Sequence, residues 1–149
     1  MTRKPYQSSV GSISHGTLRT RDLLESFADE LERCKAEGEH ANMIAEARAV
    51  ILLDDAGGYD VADSEAASDL VNSLHDALNE YAPAFCYFGN TEGDGSDFGF
   101  WPSMEQIEEL PRVSDPSEVE GLGTECAFVN DHGNVTVYGA DGRVLLDIV

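Results

Sequence analysis

Basic residues are scarce in this sequence. The 149 residues include 9 lysines and arginines against 29 aspartates and glutamates, for a formal net charge of −20. No lysine or arginine occurs from Ala49 to Pro111, where 14 acidic residues lie, whereas residues 1–48 have a net charge of only −1. Nucleic acids and membrane surfaces are anionic, so this composition argues against direct binding to either. A basic protein surface is the partner that the charge favours.

The sequence also lacks cysteine patterns and long apolar runs. Cys34, Cys86 and Cys126 show no CxxC spacing, which argues against a zinc knuckle and a disulfide framework and predicts buried, reduced thiols. The apolar runs are a few residues long, far short of the roughly 20 that span a membrane, and the first residues have no apolar stretch of a signal peptide. We therefore expect an intracellular protein, without bound metal or cofactor.

Recognisable catalytic motifs are absent too. No G-x-S-x-G, HExxH, P-loop or GxGxxG pattern occurs, and adjacent carboxylate pairs such as Asp54-Asp55 and Glu108-Glu109 arise by chance in so acidic a chain. A catalytic histidine needs a partner group, and the sequence shows none for the four histidines. These are His15, His40, His75 and His132. The sequence therefore predicts a protein that is not an enzyme.

The segment 90–95 partly matches a calcium-binding loop, because oxygen-bearing side chains alternate and a glycine occupies the sixth position. The match ends there. An apolar residue is expected at the eighth position, which is Asp97, and a bidentate glutamate at the twelfth, which is Trp101. We interpret the segment as the solvated tip of a hairpin, where glycines permit a positive φ.

The first half of the chain has helical periodicity. Residues 1–16 show no sustained pattern and predict a flexible arm, followed by one domain over 17–149. Apolar residues at helical spacing predict helices over 20–36, 40–53 and 64–81. Thr20 is expected to cap the first helix and Ser64 the third, while Pro83 ends the third.

After Pro83, aromatic and β-branched residues indicate strands. A hairpin is predicted from 84–89 and 97–101, with most of its aromatic side chains in the core. Ser103 is expected to cap a short helix over 104–110, and residues 112–123 are expected to form a loop. A meander of three strands follows at 126–130, 135–138 and 144–148. The predicted fold class is α+β, with three to four N-terminal helices packed on a C-terminal antiparallel sheet of about five strands.

The third predicted helix carries a row of acidic residues. At about 100° per residue, the four members fall within about 60° of one another, opposite the apolar stripe, and span roughly 22 Å. This acidic row consists of Glu65, Asp69, Asp76 and Glu80. With the neighbouring acids it forms the predicted partner-binding surface, namely Asp54, Asp55, Asp60, Asp63, Glu65, Asp69, Asp76, Glu80, Glu92, Asp94 and Asp97.

Three explanations account for the acidic excess. The carboxylates can simply form a solvated surface that keeps the protein soluble. They can reflect adaptation to a salt-rich cytoplasm, although the balanced charge of residues 1–48 does not fit a uniform adaptation. They can also imitate the phosphates of a nucleic acid, which in B-DNA present one charge per roughly 1.7 Å of helix axis. In that case they occupy the nucleic-acid groove of a basic protein.

Three segments carry a resemblance to a known class of proteins. They are Ser14–Arg19, Asp76–Pro83 and Tyr87–Pro102, the last containing the run Gly93-Asp94-Gly95-Ser96-Asp97. Here the chain resembles small acidic proteins carried by phages and plasmids, which generally lack an assigned activity. In charge and size it is also similar to the DNA-mimic inhibitors of the anti-restriction and anti-CRISPR type.

The resemblance implies a genetic setting and transfers no catalytic residue. Together with the charge it leads us to expect an inhibitor from a mobile genetic element. Such an inhibitor binds a basic nucleic-acid-processing complex of host defence, with no direct contact to nucleic acid or membrane. The alternative is a non-enzymatic interaction protein whose charge is only solubilising or salt-adaptive. A homodimer is left open.

Overall fold

The computed structural model describes residues 10–57, 62, 64–91 and 93–148. The chain divides into two compact units, Met1–Trp101 and Pro102–Val149, and each unit has its own sheet. The expected single domain over 17–149 stays a prediction. In the described part of the chain, no helix is long and apolar enough to cross a membrane.

Three helices dominate the first unit, and all three predicted helices are confirmed. They are α1 (Thr20–Arg33), α2 (Glu39–Asp55) and α3 (Glu65–Asn79). Ser64 caps α3 as predicted, since its hydroxyl accepts a hydrogen bond from the Ala67 N–H. The predicted cap at Thr20 is wrong. Thr20 is the first helical residue, and the hydroxyl of Thr17 instead donates to the Asp22 carboxylate.

The core of the first unit lies where α1, α3 and the neighbouring strands meet. Leu24, Phe27 and Leu31 of α1 and Leu74 and Leu78 of α3 are completely buried. Aromatic rings extend this cluster, and Phe27 makes edge-to-face contacts with two of them, at ring-centroid distances of 5.1 Å and 5.3 Å. The partners are Phe88 and Phe98. The predicted burial of the hairpin aromatics is confirmed for Phe88, Phe98 and Phe100, whereas Phe85 and Trp101 are partly buried and Tyr87 is exposed.

The sheet of the first unit has three strands in the order β1-β3-β2, formed by Gly11–Ser14 (β1), Cys86–Thr91 (β2) and Asp94–Pro102 (β3). Only two residues separate β2 from β3, and a link that short joins antiparallel neighbours. The strands therefore continue into the segment that the sequence assigned to the hairpin tip.

Strand β1 lies inside the predicted flexible arm, so that expectation is corrected for residues 11–14, while residues 1–9 lie outside the described residues. β1 pairs antiparallel with β3, and Ser12 lies opposite Gly99. Gly99 permits this approach because a Cβ there would lie 2.2 Å from the Gly11 carbonyl oxygen. The contact depends on a glycine 87 positions further on in the sequence, which local periodicity does not reveal.

The second unit begins with α4 (Met104–Glu108), whose predicted cap is confirmed because the Ser103 hydroxyl accepts from the Gln106 N–H. Its sheet has the order β4-β5-β6-β7. The strands are Arg112–Val113 (β4), Cys126–Val129 (β5), Val135–Tyr138 (β6) and Val144–Ile148 (β7). The antiparallel pairing of β5, β6 and β7 confirms the predicted meander.

Residues 112–123 do not form the predicted loop. They contain β4, a 3₁₀ turn (Pro116–Glu118) and α5 (Val119–Leu122). This connection returns the chain to the same end of the sheet, so β4 pairs parallel with β5. The α+β class is confirmed. In the described residues, the arrangement is corrected to seven strands in two sheets, one of which includes an N-terminal strand, instead of one antiparallel sheet of about five strands.

The buried thiol of Cys86 in β2 predicts a pH dependence of stability. Burial raises its pKa from 9.0 to about 11, so the folded state keeps a proton that the unfolded chain loses above pH 9. We expect the free energy of unfolding to fall as the pH rises from 9 to about 11. Urea unfolding across this range should show a shallower fall for Cys86→Ala, in which the similarly affected Tyr81 and Cys126 remain. An identical pH dependence in both proteins would contradict this assignment.

Candidate partner-binding surface

The acidic row lies on the solvent side of α3, continued by Glu80 at its C-terminal end. All four carboxylates are exposed, and the buried residues of the helix lie on the opposite side. Along the axis, the successive members are about 6, 10.5 and 6 Å apart at 1.5 Å per residue. Within the described residues, none of the four forms an ion pair with lysine or arginine. The geometry therefore agrees with the predicted solvent-facing row.

Two members of the row lie near histidines. Asp76 lies 3.9 Å from Nδ1 of its neighbour His75, whereas Glu80 contacts a histidine of another helix. The Glu80 carboxylate oxygen lies 3.0 Å from Nε2 of His40, at the start of α2. The other ring nitrogen, Nδ1, lies 2.9 Å from the hydroxyl of Tyr81. The tyrosine is buried, which raises its pKa. These contacts join the start of α2 to the end of α3.

The histidine contacts were missed at the sequence level, where no partner for His40 was expected. Glu80 and Tyr81 lie 40 and 41 positions from His40, and only the antiparallel packing of α2 and α3 brings them together. Tyr81 is almost fully buried, so its hydroxyl is not open to a substrate. His75 packs edge-on against the ring of Phe88, with ring centroids 5.0 Å apart.

Asp54 and Asp55, at the end of α2, belong to the predicted surface but are paired with Arg21 of α1. The guanidinium Nη2 lies 2.6 Å from Asp55, and Nε lies 3.2 Å from Asp54. The hydrogen bond to Asp55 is the main cause of the raised pKa of Arg21. Their charge is therefore partly offset within the protein, unlike that of the acidic row.

Two further arginines are also engaged within the helices. Arg33 binds the buried carboxylate of Glu30, with Nη2 at 2.7 Å. Arg48 of α2 lies 2.7 Å from Asp29 and 3.0 Å from Glu32, both on α1. Arg21 and Arg48 thus join α1 to α2, and Arg33 pairs along α1. Among the residues that the structure describes, no arginine or lysine pairs with a carboxylate of the acidic row.

Two acids of the hairpin are held by hydrogen bonds, Asp94 locally and Asp97 from a distant strand. Asp94 accepts from both the N–H and the hydroxyl of Ser96, and these bonds lower its pKa. Asp97 accepts from the hydroxyl of Ser12 in β1. The hairpin lies against the end of α3, since the Phe88 N–H donates to the Asn79 side chain. Three other predicted members, Asp60, Asp63 and Glu92, lie outside the described residues.

Two grooves of the first unit are lined by described residues that show no catalytic arrangement of side chains. One of about 310 Å³ lies beside β1 and α1, lined by Ser12, Ile13, Ser26, Asp29, Glu30 and Arg33. Another of about 270 Å³ separates α2 from α3, lined by Glu39, Asn42, Met43, Glu46, Leu70 and Ser73. Over the described ranges, no group of three or more histidine, cysteine, aspartate or glutamate side chains is arranged to hold a metal ion.

No protein-family model, curated protein or solved structure matches this chain. The arguments for its function therefore rest on the charge and geometry of its own residues. Of these, the exposed acidic row on α3 is the feature that most clearly requires a partner or a solvent explanation, because its charge is not offset by arginine or lysine in the described structure.

Proposed function

We propose that this protein is an inhibitor encoded by a mobile genetic element, which binds a basic nucleic-acid-processing protein of host defence. The acidic row occupies the groove that otherwise holds DNA or RNA. In this proposal the protein acts in the host cytoplasm, without catalysis and without a cofactor. The observation that supports it is the line of exposed carboxylates on a rigid helix, facing away from the core and uncompensated by arginine or lysine among the described residues.

The spacing of the row limits how closely it imitates DNA. One strand of B-DNA carries a charge about every 3.4 Å of axis, whereas the row carries one about every 6 to 10.5 Å. Its charge density is therefore about one third to one half of that of a strand. Such a row steers a basic partner effectively, but tight binding needs further contacts in addition to charge.

The alternative is that the acids only keep the protein soluble. The second unit favours this alternative for its own surface, because its ten acids are distributed over short elements and turns, with two arginines, Arg112 and Arg143. No single helix there is long enough to align four carboxylates. The two explanations differ at α3, where only the inhibitor needs the acidic row for binding.

Affinity capture from a host lysate, performed at low and high ionic strength, tests the proposal. The immobilised protein is compared with a triple variant, Glu65→Gln, Asp69→Asn, Asp76→Asn, in which Glu80 keeps its contact to His40. We expect a basic nucleic-acid-binding protein to be retained by the wild type at low salt and lost by the variant. Equal retention by both proteins would favour the solubilising alternative.

A further inference from the structure

Helix α2 has apolar residues around its whole circumference, yet little of it is buried. The inward side carries Met43, Ile44, Ala47, Val50 and Ile51, of which only Ala47 is fully buried. On the other side, Leu52 is 74% exposed and Leu53 is 54% exposed. A helix that is apolar all round is normally buried all round. Within the described part of the chain, these two leucines are therefore left largely uncovered on the outward side of α2.

The outward residues form one continuous surface. At about 100° per residue they occupy an arc of about 120° centred opposite Ala47, and all are exposed. This α2 outer face consists of Ala41, Ala45, Ala49, Leu52 and Leu53, and the exposed polar side chain of Asn42 lies in the same arc near the start of the helix. The alanines keep its centre low, so that another element can approach the helix closely, while the two leucines supply most of the apolar area near one end.

Carboxylates border the α2 outer face along both sides. Toward α3 lie Glu39 and Glu46, which line the groove of about 270 Å³, and beyond that groove lies the acidic row. Toward α1 lie Asp29 and Glu32, whose two charges exceed the single charge of Arg48 between them. A second copy of this chain would bring like charges together along both borders. An apolar segment flanked by lysine or arginine would meet complementary charge instead.

We propose that the α2 outer face docks an amphipathic helix of the partner, with an apolar stripe flanked by lysine and arginine residues. This inference rests on the proposed function, since the basic partner that meets the acidic row also supplies this helix. An apolar centre with a polar border is the usual anatomy of a protein interface, and helix-in-groove recognition uses such a stripe. The docked helix supplies the apolar contacts that tight binding needs in addition to the charge of the acidic row.

Two synthetic peptides of about 18 residues test the proposal. One has leucines at the spacing i, i+3, i+4, i+7 with lysines elsewhere, and the other has the same composition with leucines distributed evenly around the helix. Fluorescence anisotropy at about 0.15 M ionic strength measures binding of each. We expect the wild type to bind the striped peptide about tenfold more tightly. In the double variant Leu52→Ser, Leu53→Ser, this preference should disappear while binding of the even peptide persists.

Control variants separate docking from other effects. Val144→Ser removes an apolar side chain that is 58% exposed in the second unit, and it should keep the preference. Ala49→Gln places a larger side chain at the centre of the face and keeps a residue that favours helix, so it should also lower the preference. It replaces the double variant as the test if the double variant does not fold. A wild type without preference, or a preference that survives both changes, would overturn the proposal. The proposal would also be overturned if sedimentation showed that the wild type is a dimer and that Leu52→Ser, Leu53→Ser dissociates it.

The acidic-row variant distinguishes this inference from the proposed function. Glu65→Gln, Asp69→Asn, Asp76→Asn should weaken binding of both peptides to a similar extent, because the striped preference depends on the leucines of α2. If the wild type does not prefer the striped peptide but still displaces nucleic acid from the partner, only the docking inference is contradicted. If the wild type prefers the striped peptide but does not displace nucleic acid from the partner, the proposed function is contradicted and the docking site is supported.

Discussion

Replacing Leu74 with alanine is expected to lower the free energy of unfolding by about 2–5 kcal/mol. Leu74 is completely buried in α3, in the same cluster as Phe27 and Leu78. The substitution removes buried apolar area and leaves a cavity, because rigid neighbours relax only partly. Urea unfolding followed by circular dichroism measures the change. As a control, Asn72→Ala on the exposed side of the same helix should change stability by less than about 0.5 kcal/mol.

The Leu74 experiment also tests the orientation of α3. If Leu74→Ala cost less than about 1 kcal/mol, the residue would lie near the surface and the helix would be turned. The acidic row would then face the core instead of solvent. The stability measurement therefore supports or removes the geometric basis of the partner-binding surface before any partner is known.

Neutralising the acidic row is expected to slow association with the captured partner by about tenfold or more at low ionic strength. Charge acts mainly on the association rate, because it steers the encounter over distances of about the Debye length. The triple variant Glu65→Gln, Asp69→Asn, Asp76→Asn should therefore also show a much flatter dependence of the rate on salt. Surface plasmon resonance at several salt concentrations measures both quantities. Stability should stay unchanged or rise slightly, since the exposed acids repel one another.

A matched variant in the second unit controls for net charge. Glu105→Gln, Glu108→Gln, Glu109→Gln removes the same number of exposed carboxylates from α4 and the residue after it. If the acidic row forms the contact, this variant should lower the association rate far less than the α3 variant does. Equal effects would show that only total charge matters, and the row would then have no specific role.

The helices could be predicted from the sequence because their signals are local. Apolar residues at helical spacing and a serine cap are contained within one element, and α1, α2 and α3 begin and end near the predicted positions. The row on α3 follows from the same geometry, since the angle between two residues on a helix depends only on their separation. Its exposure was therefore predictable without the tertiary structure.

Features that depend on distant contacts could not be predicted. Strand β1 exists because Gly99 lets it approach β3, and β4 has only two residues, too few for an alternating pattern. The pairing of Asp55 with Arg21 spans 34 residues, and the contact between Tyr81 and His40 spans 41. Counting charges along the chain therefore overestimated the uncompensated negative charge at the end of α2, where Asp54 and Asp55 pair with Arg21.

Competition between this protein and the partner's own nucleic acid tests the central claim most directly. The captured partner is loaded with a fluorescent DNA or RNA ligand, and this protein is added while the anisotropy is recorded. Imitation of nucleic-acid charge predicts complete displacement of the ligand, and no displacement over the same concentrations by the variant Glu65→Gln, Asp69→Asn, Asp76→Asn. A stable ternary complex, with nucleic acid and this protein bound to the partner together, would contradict the proposed function.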